Sequence, residues 1–134
     1  MPHYQFIIPS DSNTTHHKEA IAVAFTEVHT RVTGAPADYV NCSFVEVAPS
    51  SLFVGGEIIR HGRMVGIIRG GRTEEVKRQL LTELAEAWSR VGHEPLGKIA
   101  LFLHEIPGYQ AMEGGQILGE ASEDHLLVNR EVAQ

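Results

Sequence analysis

The hydrophobic pattern of the first half of the chain predicts a strand, a helix and a second strand. Residues 4–8 form a short apolar run, which is typical of a strand. Four apolar side chains then recur at spacings of four, three and four, which places them on one helical face: Ile21, Phe25, Val28 and Val32. Thr14 or Thr15 is the candidate N-cap of this helix, and Gly34 is its candidate end. A second apolar run at residues 39–47 predicts the next strand.

The second half of the chain repeats this plan at an offset of 59 residues. The matched positions include polar residues as well as apolar ones, among them Thr14 with Thr73, Lys18 with Lys77, Pro36 with Pro95 and Glu46 with Glu105. The pattern predicts a strand at residues 64–68, a helix at about 73–91 and a strand at 98–106. We interpret the chain as two copies of one strand–helix–strand unit.

In each unit a strand, a helix and a returning parallel strand make a βαβ unit, and we expect its helical connection to cross over right-handed. Two units, at about 2–48 and 61–107, predict an α/β (α+β) fold for a single domain, 1–134. It has a four-stranded mixed sheet with both helices on one face, and a C-terminal tail follows. The other face has no covering layer. However, strands 40–47 and 98–106 carry apolar side chains at both odd and even positions, as strands that are buried on both faces do. We expect subunits to pack sheet face against sheet face in an oligomer.

Two glycine-rich segments interrupt the apolar pattern. Residues 49–62 link the two units and contain Gly55-Gly56, which predicts a hairpin or a tight turn. The tail, residues 108–134, contains Gly114-Gly115 and then becomes polar. We expect the tail to form short edge strands that reach a neighbouring subunit.

Composition narrows the class of protein. Of the 134 residues, 43% are hydrophobic and 21% are charged, which is near the globular average, and the net charge is −6. Nucleic-acid binding needs a basic face, so this balance argues against it. No apolar run approaches the roughly 20 residues of a membrane helix, and the N-terminus does not resemble a signal peptide. The single cysteine, Cys42, indicates a reducing compartment, so we expect a cytoplasmic protein with neither nucleic-acid nor membrane partners.

Pro2 is the first candidate for chemistry. The initiator methionine is usually removed before a small residue, and its removal would leave a secondary amine at the start of an apolar strand. Desolvation lowers the pKa of a cationic group, so such an amine would be neutral near pH 7 and would act as a general base. The alternative is that Pro2 only permits processing and begins a strand.

Two arginines form the second candidate group. Arg69 and Arg72 flank Gly70-Gly71 between the second-unit strand and its helix. Ligands favour the carboxyl ends of parallel strands, and helix N-termini favour anions. Two arginines there can bind a carboxylate, while the glycines let the backbone approach closely. The alternative is a pair of solvated charges beside a turn.

His29 and Glu113 complete the candidates. His29 lies beside the apolar face of the first helix, four residues after Phe25, where a histidine is often half-buried packing. Glu113 lies in the glycine-rich tail, where an acid is usually solvated. Both therefore have an ordinary structural alternative.

No cofactor or metal site is expected. The eight histidines include no HExxH motif and no paired Cys-His spacing, and there is no Walker loop, GxSxG or dinucleotide-binding motif. Cys42 lies inside an apolar strand and is interpreted as a packed thiol rather than a nucleophile.

Taken together, these features resemble the tautomerase superfamily, and most closely its cis-3-chloroacrylic acid dehalogenases. Members of the superfamily are built from βαβ units, single in short chains and fused in long ones. The resemblance runs from Pro2 to about Leu118. It rests on the N-terminal proline and on three segments: Phe25-Thr26-Glu27-Val28-His29 with Thr33-Gly34, Arg69-Gly70-Gly71-Arg72, and Glu105-Ile106-Pro107-Gly108.

The resemblance implies a role for each candidate. Pro2 falls on the catalytic N-terminal proline of the family, and His29 falls on its active-site histidine. Arg69 and Arg72 resemble the pair that binds the substrate carboxylate. Glu113 falls on the glutamate that activates water in the dehalogenases, where His29 would assist it.

Two positions depart from the dehalogenase pattern. Phe102 stands where the family has a substrate-site tyrosine, so the ring is kept and the hydroxyl is lost. Loss of such a hydroxyl in a buried site costs about 1–3 kcal/mol, which is roughly one to two decades in rate. Gly114-Gly115 replaces an aromatic residue just after the glutamate.

The resemblance implies a homotrimeric enzyme, without a cofactor, that acts on small 2-oxo, enol or unsaturated carboxylates. Keto–enol tautomerisation would be accompanied by weak cis-3-haloacrylate dehalogenase or hydratase activity. The alternative from another class is a non-catalytic, ferredoxin-like small-molecule-binding module in which the arginines bind an anionic effector. A cytokine-like or assembly role has no support in the sequence itself.

Overall fold

A computed structural model of the chain describes residues 1–121. Two long helices are present, α1 (Lys18–Thr33) and α2 (Glu74–Gly92). The strands are β1 (His3–Pro9), β2 (Asn41–Val47), β3 (Phe53–Val54), β4 (Glu57–Ile58), β5 (Arg63–Arg69), β6 (Ala100–Ile106), β7 (Met112–Glu113) and β8 (Gln116–Ile117). The polar part of the predicted tail, from residue 122, lies outside the described residues.

The predicted sheet is confirmed. It has four strands in the order β2-β1-β5-β6, with parallel outer pairs and an antiparallel central pair. Alternate residues of the two central strands are buried, as a strand with one covered face requires. Both helices pack on that face, and the core between the layers comprises Tyr4, Phe6, Ile8, Ile21, Phe25, Val28, Met64, Leu80, Leu84, Ala87 and Trp88.

The helix ends differ between the two units. Thr73 caps α2, because its hydroxyl accepts a hydrogen bond from the Val76 nitrogen at 3.2 Å. The prediction that Thr14 or Thr15 caps α1 is wrong, since both lie in a preceding 3₁₀ turn, Asn13–His16, and α1 begins at Lys18. The physical reason is that the Thr14 nitrogen and hydroxyl bind the carboxylate of Glu94, 80 residues away.

The internal repeat extends to side-chain contacts and to the hairpins. Lys18 binds Glu46 at 3.2 Å in the first unit, and Lys77 binds Glu105 at 2.7 Å in the second. The predicted turn at Gly55-Gly56 joins β3 to β4, and Gly114-Gly115 joins β7 to β8 at the same offset of 59. All four glycines have positive φ, which is why glycine occupies these turns.

The sheet face opposite the helices is open. It carries partly exposed apolar side chains from three strands: Val45 at 41%, Val65 at 36% and Phe102 at 56% exposure. Apolar side chains on an uncovered sheet face are typical of a contact surface. None of the helices within residues 1–121 is long and apolar enough to span a membrane.

Candidate active site

The antiparallel centre of the sheet brings the candidate residues to one end of the molecule. His3 lies opposite Ile67 in the central strand pair. Pro2, just before β1, therefore lies beside the end of β5, where Arg69 is the last residue. The last turns of α1 cover the same end, since His29 contacts β1 from that helix.

Pro2 is buried at the start of β1. Its carbonyl oxygen accepts hydrogen bonds from the backbone nitrogen and from Nδ2 of Asn41, at 3.0 and 3.2 Å. Met1 is also buried, and its ammonium group donates to Oε2 of Glu113 at 2.5 Å. While Met1 is attached, the Pro2 nitrogen is an amide nitrogen without basicity. A basic Pro2 therefore requires the removal of Met1.

Glu113 reaches the N-terminus from the β7–β8 hairpin. It ends β7, and the Gly114-Gly115 turn after it holds the hairpin closed. Oε1 of Glu113 accepts a hydrogen bond from Nδ2 of Asn41 at 3.0 Å, while Oε2 binds the amine of Met1. Asn41 thus ties both Glu113 and the Pro2 carbonyl to the start of β2. The sequence analysis missed this residue.

His29 is fully buried rather than half-buried at the edge of the helix face. Its Nδ1 lies 2.7 Å from the hydroxyl of Tyr4, which is also fully buried. Its Nε2 is buried as well and has no hydrogen-bond partner among the described residues. Tyr4 was not predicted as a site residue, although the alternation of β1 places it on the covered face.

Electrostatics link His29 to the other candidates. The pKa of His29 is lowered to about 3, mainly by burial and then by the positive charges of Arg72, the N-terminal amine and Arg69, in that order. Burial also raises the pKa of Tyr4 well above its usual range. His29 is therefore neutral at physiological pH, and it shares its surroundings with three cationic groups.

The two arginines have different environments. Arg69 is only 2% exposed, and its guanidinium donates to the Gly119 carbonyl oxygen at 3.0 Å. Residues 119–121 lie close against Gly70, where an added Cβ would come within 2.6 Å of a Glu120 oxygen. Arg72, in the loop before α2, is half-buried and lies near enough to affect the pKa values of the His29–Tyr4 pair.

Phe102 is not brought to this cluster within one subunit. It lies opposite Val65 on β6, on the open face of the sheet, and it is 56% exposed. The structure therefore brings together Pro2, His29, Arg69, Arg72 and Glu113, and it adds Tyr4 and Asn41. A role for Phe102 in a substrate site stays a prediction that needs a second subunit.

Other features lie away from this end. A groove of about 600 Å³ runs between the helices beside Val23 and Arg90, and one of about 440 Å³ lies under the β3–β4 hairpin beside Arg60 and Lys98. Burial raises the pKa of the Cys42 thiol to about 11, as in a packed thiol. Within residues 1–121, no group of three or more His, Cys, Asp and Glu side chains is arranged to hold a metal ion.

The chain is similar to several known proteins. A family model described as "Putative oxalocrotonate tautomerase enzyme" matches residues 1–97. The structure of N1, a member of the cis-3-chloroacrylic acid dehalogenase family, matches with a TM-score of 0.89 at 24% identity, over 95% of this chain and 90% of N1. Ps01740 matches with a TM-score of 0.77 at 28% identity, over 83% of this chain and 99% of Ps01740. A fused 4-OT, solved as a wild-type symmetric trimer, matches with a TM-score of 0.76 at 24% identity, over 90% of this chain and 96% of the fused 4-OT chain. No curated protein matches significantly.

Proposed function

This chain belongs to the oxalocrotonate tautomerase family, and from that premise we propose that it catalyses the keto–enol tautomerisation of small 2-oxo carboxylates with Pro2 as the base. The observation that carries the proposal is that the N-terminal amine of Met1, Arg69 and Arg72 all lie near enough to buried His29 to lower its pKa. Three cationic groups at one end of a sheet suit an anionic substrate. Glu113 supplies a carboxylate that contacts the N-terminus.

The proposed reaction needs no co-reactant. Removal of Met1 leaves the secondary amine of Pro2, and the two arginines lower its pKa so that it is neutral near pH 7. The amine takes the proton of the enol hydroxyl, and the resulting prolinium delivers it to the carbon next to the new carbonyl. Arg69 and Arg72 bind the carboxylate and stabilise the enolate that forms between the two transfers.

A second, weaker activity uses the same groups on cis-3-haloacrylates. Water adds its hydroxyl to the carbon that bears the halogen, while protonated Pro2 gives a proton to the carbon next to the carboxylate. The halohydrin then loses hydrogen halide to give the aldehyde. Glu113 would accept the proton of the water. We expect this activity to be low, since Phe102 lacks the hydroxyl of the tyrosine that it replaces.

We propose that the protein works as a homotrimer. The partly exposed apolar residues of the open face, Val45, Val65 and Phe102, support self-association. A fused 4-OT of the same fold forms a symmetric trimer. In such an assembly Phe102 would contribute to a site on a neighbouring chain. The single cysteine fits a cytoplasmic location.

The test is ultraviolet-monitored ketonisation of phenylenolpyruvate by wild type, Pro2→Ala and Pro95→Ala. Mass spectrometry of each preparation first establishes that Met1 is absent. Pro95, an exposed proline before a 3₁₀ turn far from the site, is the matched control. We expect Pro2→Ala to lose about 10²- to 10⁴-fold in kcat, and Pro95→Ala to keep its rate.

Equal turnover by Pro2→Ala and wild type would contradict the proposal. Retention of Met1 in the mature protein would also contradict it, because Pro2 would remain an amide. That result would favour the non-catalytic binding module, in which Arg69 and Arg72 bind an anionic effector.

A further inference from the structure

We propose that Tyr4 is a positioning residue that holds His29 in the tautomer protonated at Nε2, so that His29 donates a hydrogen bond to a substrate oxygen. This inference rests on the proposed function and specifies how the same site binds its substrate. It assigns His29 no part in removing a proton. In the haloacrylate reaction, water activation would then fall to Glu113 alone, which differs from the shared role that the family resemblance implies.

The hydrogen bond between the two side chains fixes the direction of donation. The Tyr4 hydroxyl and the His29 Nδ1 are 2.7 Å apart, and both residues are fully buried. Within residues 1–121, the hydroxyl has no other recorded hydrogen-bond partner. If Nδ1 carried the proton, the phenol hydrogen would be left buried without an acceptor, at a cost of about 1–3 kcal/mol. The favoured arrangement has Tyr4 donating to Nδ1, which leaves the imidazole proton on Nε2.

The surroundings hold Tyr4 in this role. Its ring packs edge-on against Phe25 with the centroids 5.3 Å apart, and strand β1 fixes its backbone in the middle of the sheet. Burial raises the pKa of the Tyr4 hydroxyl, so it keeps its proton and stays a donor. The ring cannot turn away without leaving the core.

His29 is correspondingly suited to donate rather than to accept. Burial and the neighbouring cations keep its ring neutral, since its pKa is lowered to about 3. The Nε2–H group is buried and has no hydrogen-bond partner among the residues that the structure describes. A carboxylate or enolate oxygen near Arg72 and the N-terminal amine would satisfy this donor. The same cations oppose formation of an imidazolium, which a general base would have to become.

The other half of the molecule offers an internal contrast. The counterpart of His29 at an offset of 59 is Trp88, which also presents a ring N–H in the buried layer. The Trp88 Nε1 donates to the Thr14 hydroxyl at 3.0 Å, so that donor is satisfied within the protein. The Nε2 of His29 has no such internal acceptor in the described chain, as expected if the acceptor arrives with the substrate.

The direct test is nitrogen NMR of imidazole-labelled protein, which reports the protonation of each ring nitrogen without any substrate. In wild type we expect His29 to be protonated at Nε2 and unprotonated at Nδ1 between pH 5 and pH 9. Tyr4→Phe should shift the ring to a mixture of both tautomers. Tyr109→Phe, at an exposed tyrosine, should leave the wild-type pattern intact. A wild-type His29 protonated at Nδ1 would overturn the proposal, whether or not the protein turns over any substrate.

Kinetics separate donation from base catalysis. His29→Gln keeps an N–H donor on a side chain of similar reach but supplies no base, whereas His29→Ala keeps neither. For phenylenolpyruvate we expect His29→Gln to stay within about tenfold of wild-type kcat/KM and His29→Ala to fall about tenfold below His29→Gln, the scale of a hydrogen bond to a charged group. Equal losses in the two variants would contradict a donor role. If Pro2→Ala were fully active, the proposed function would fail, but the NMR result on Tyr4 would still stand.

Discussion

The two ends of the sheet have corresponding positions in the two units, but their buried polar groups are hydrogen-bonded differently. Helix positions correspond at an offset of 59, so Ala35 corresponds to Glu94 and His29 to Trp88. The central strands correspond at 60, since His3–Pro9 matches Arg63–Arg69 in burial. One end carries the candidate active site. The other is closed by a polar cluster of Thr14, His61, Trp88 and Glu94, which we call the filled end.

The filled end satisfies its buried groups internally. Glu94 is only 3% exposed. One oxygen of its carboxylate accepts hydrogen bonds from the Thr14 nitrogen and hydroxyl, both at 3.1 Å. Its other oxygen lies 2.5 Å from Nδ1 of His61. Trp88 completes the cluster through Thr14. Such a network stabilises a fold and leaves little capacity to bind a ligand.

The end that carries the candidate active site, which we call the reactive end, lacks these closing contacts. Ala35 is buried in place of Glu94 and supplies no carboxylate. His29 replaces Trp88 and keeps a buried Nε2 without a partner in the described chain. The comparison teaches that one repeated unit can satisfy its buried ring nitrogen internally at one end and leave the corresponding nitrogen without a partner in the described chain at the other.

The largest expected effect comes from opening the filled end. Glu94→Ala should lower the free energy of unfolding by about 2–4 kcal/mol, because it leaves the Thr14 and His61 donors without their acceptor and creates a cavity. Glu94→Gln should lose less, since its amide oxygen still accepts from Thr14. Denaturant unfolding at fixed protein concentration measures both variants. A Glu94→Ala protein as stable as wild type would show that the cluster is not structural.

Closing the reactive end is the converse experiment. Ala35→Glu places a carboxylate at the position that corresponds to Glu94, at the end of the molecule that carries the candidate site. Its negative charge would occupy the arginines, so we expect kcat/KM for phenylenolpyruvate to fall by about 10²-fold or more. Unchanged activity in a folded Ala35→Glu protein would contradict the inference that position 35 corresponds to Glu94 in its place in the fold.

Removing a positive charge should weaken substrate binding more at the reactive end than at the filled end. Arg72→Gln should raise KM for a carboxylate substrate about 10- to 100-fold, the value of a hydrogen bond to a charged group. Arg60→Gln, at an exposed arginine beside the filled end, is the matched control and should leave KM unchanged. If the two variants raise KM equally, the effect is a general one of net charge.

His29 should make stability sensitive to acid. Its pKa is about 3 in the folded chain and near 6.5 when unfolded, so the folded state resists a proton that the unfolded state accepts. The stability that neutral His29 contributes is therefore retained above pH 6.5. As the pH falls from 6.5 toward 3, the free energy of unfolding decreases by up to about 1.4 kcal/mol per pH unit. His29→Gln should remove this slope. A stability difference between wild type and His29→Gln that does not vary with pH would contradict this expectation.

The smallest predicted effect concerns Asn41. Asn41→Ala should reduce kcat several-fold, because Glu113 and the Pro2 carbonyl lose a shared donor worth about 1 kcal/mol. The counterpart of Asn41 in the second unit is Ala100, so the strand itself tolerates alanine. Steady-state kinetics check the expectation, with thermal unfolding as the control for intact folding. An unchanged kcat would remove Asn41 from the site.

The fold was largely predictable because apolar periodicity reports which residues face the helices. The cap at Thr14 was not predictable, since its partner Glu94 lies 80 residues away and no local pattern links the two. Tyr4 was missed for a similar reason. An apolar strand pattern shows that the tyrosine is buried but not that its hydroxyl meets His29 on α1. Any substrate-site role for Phe102 would need a second subunit, which no pattern within one chain specifies.

The measurement that tests the central claim most directly is the ketonisation rate per folded molecule of Pro2→Ala and Glu94→Ala, taken side by side. The account predicts that Pro2→Ala loses about 10²-fold or more while Glu94→Ala, although less stable, stays within about twofold of wild type at a temperature where it is folded. Equal losses in the two variants, or a fully active Pro2→Ala, would contradict the division of the molecule into a reactive end and a filled end.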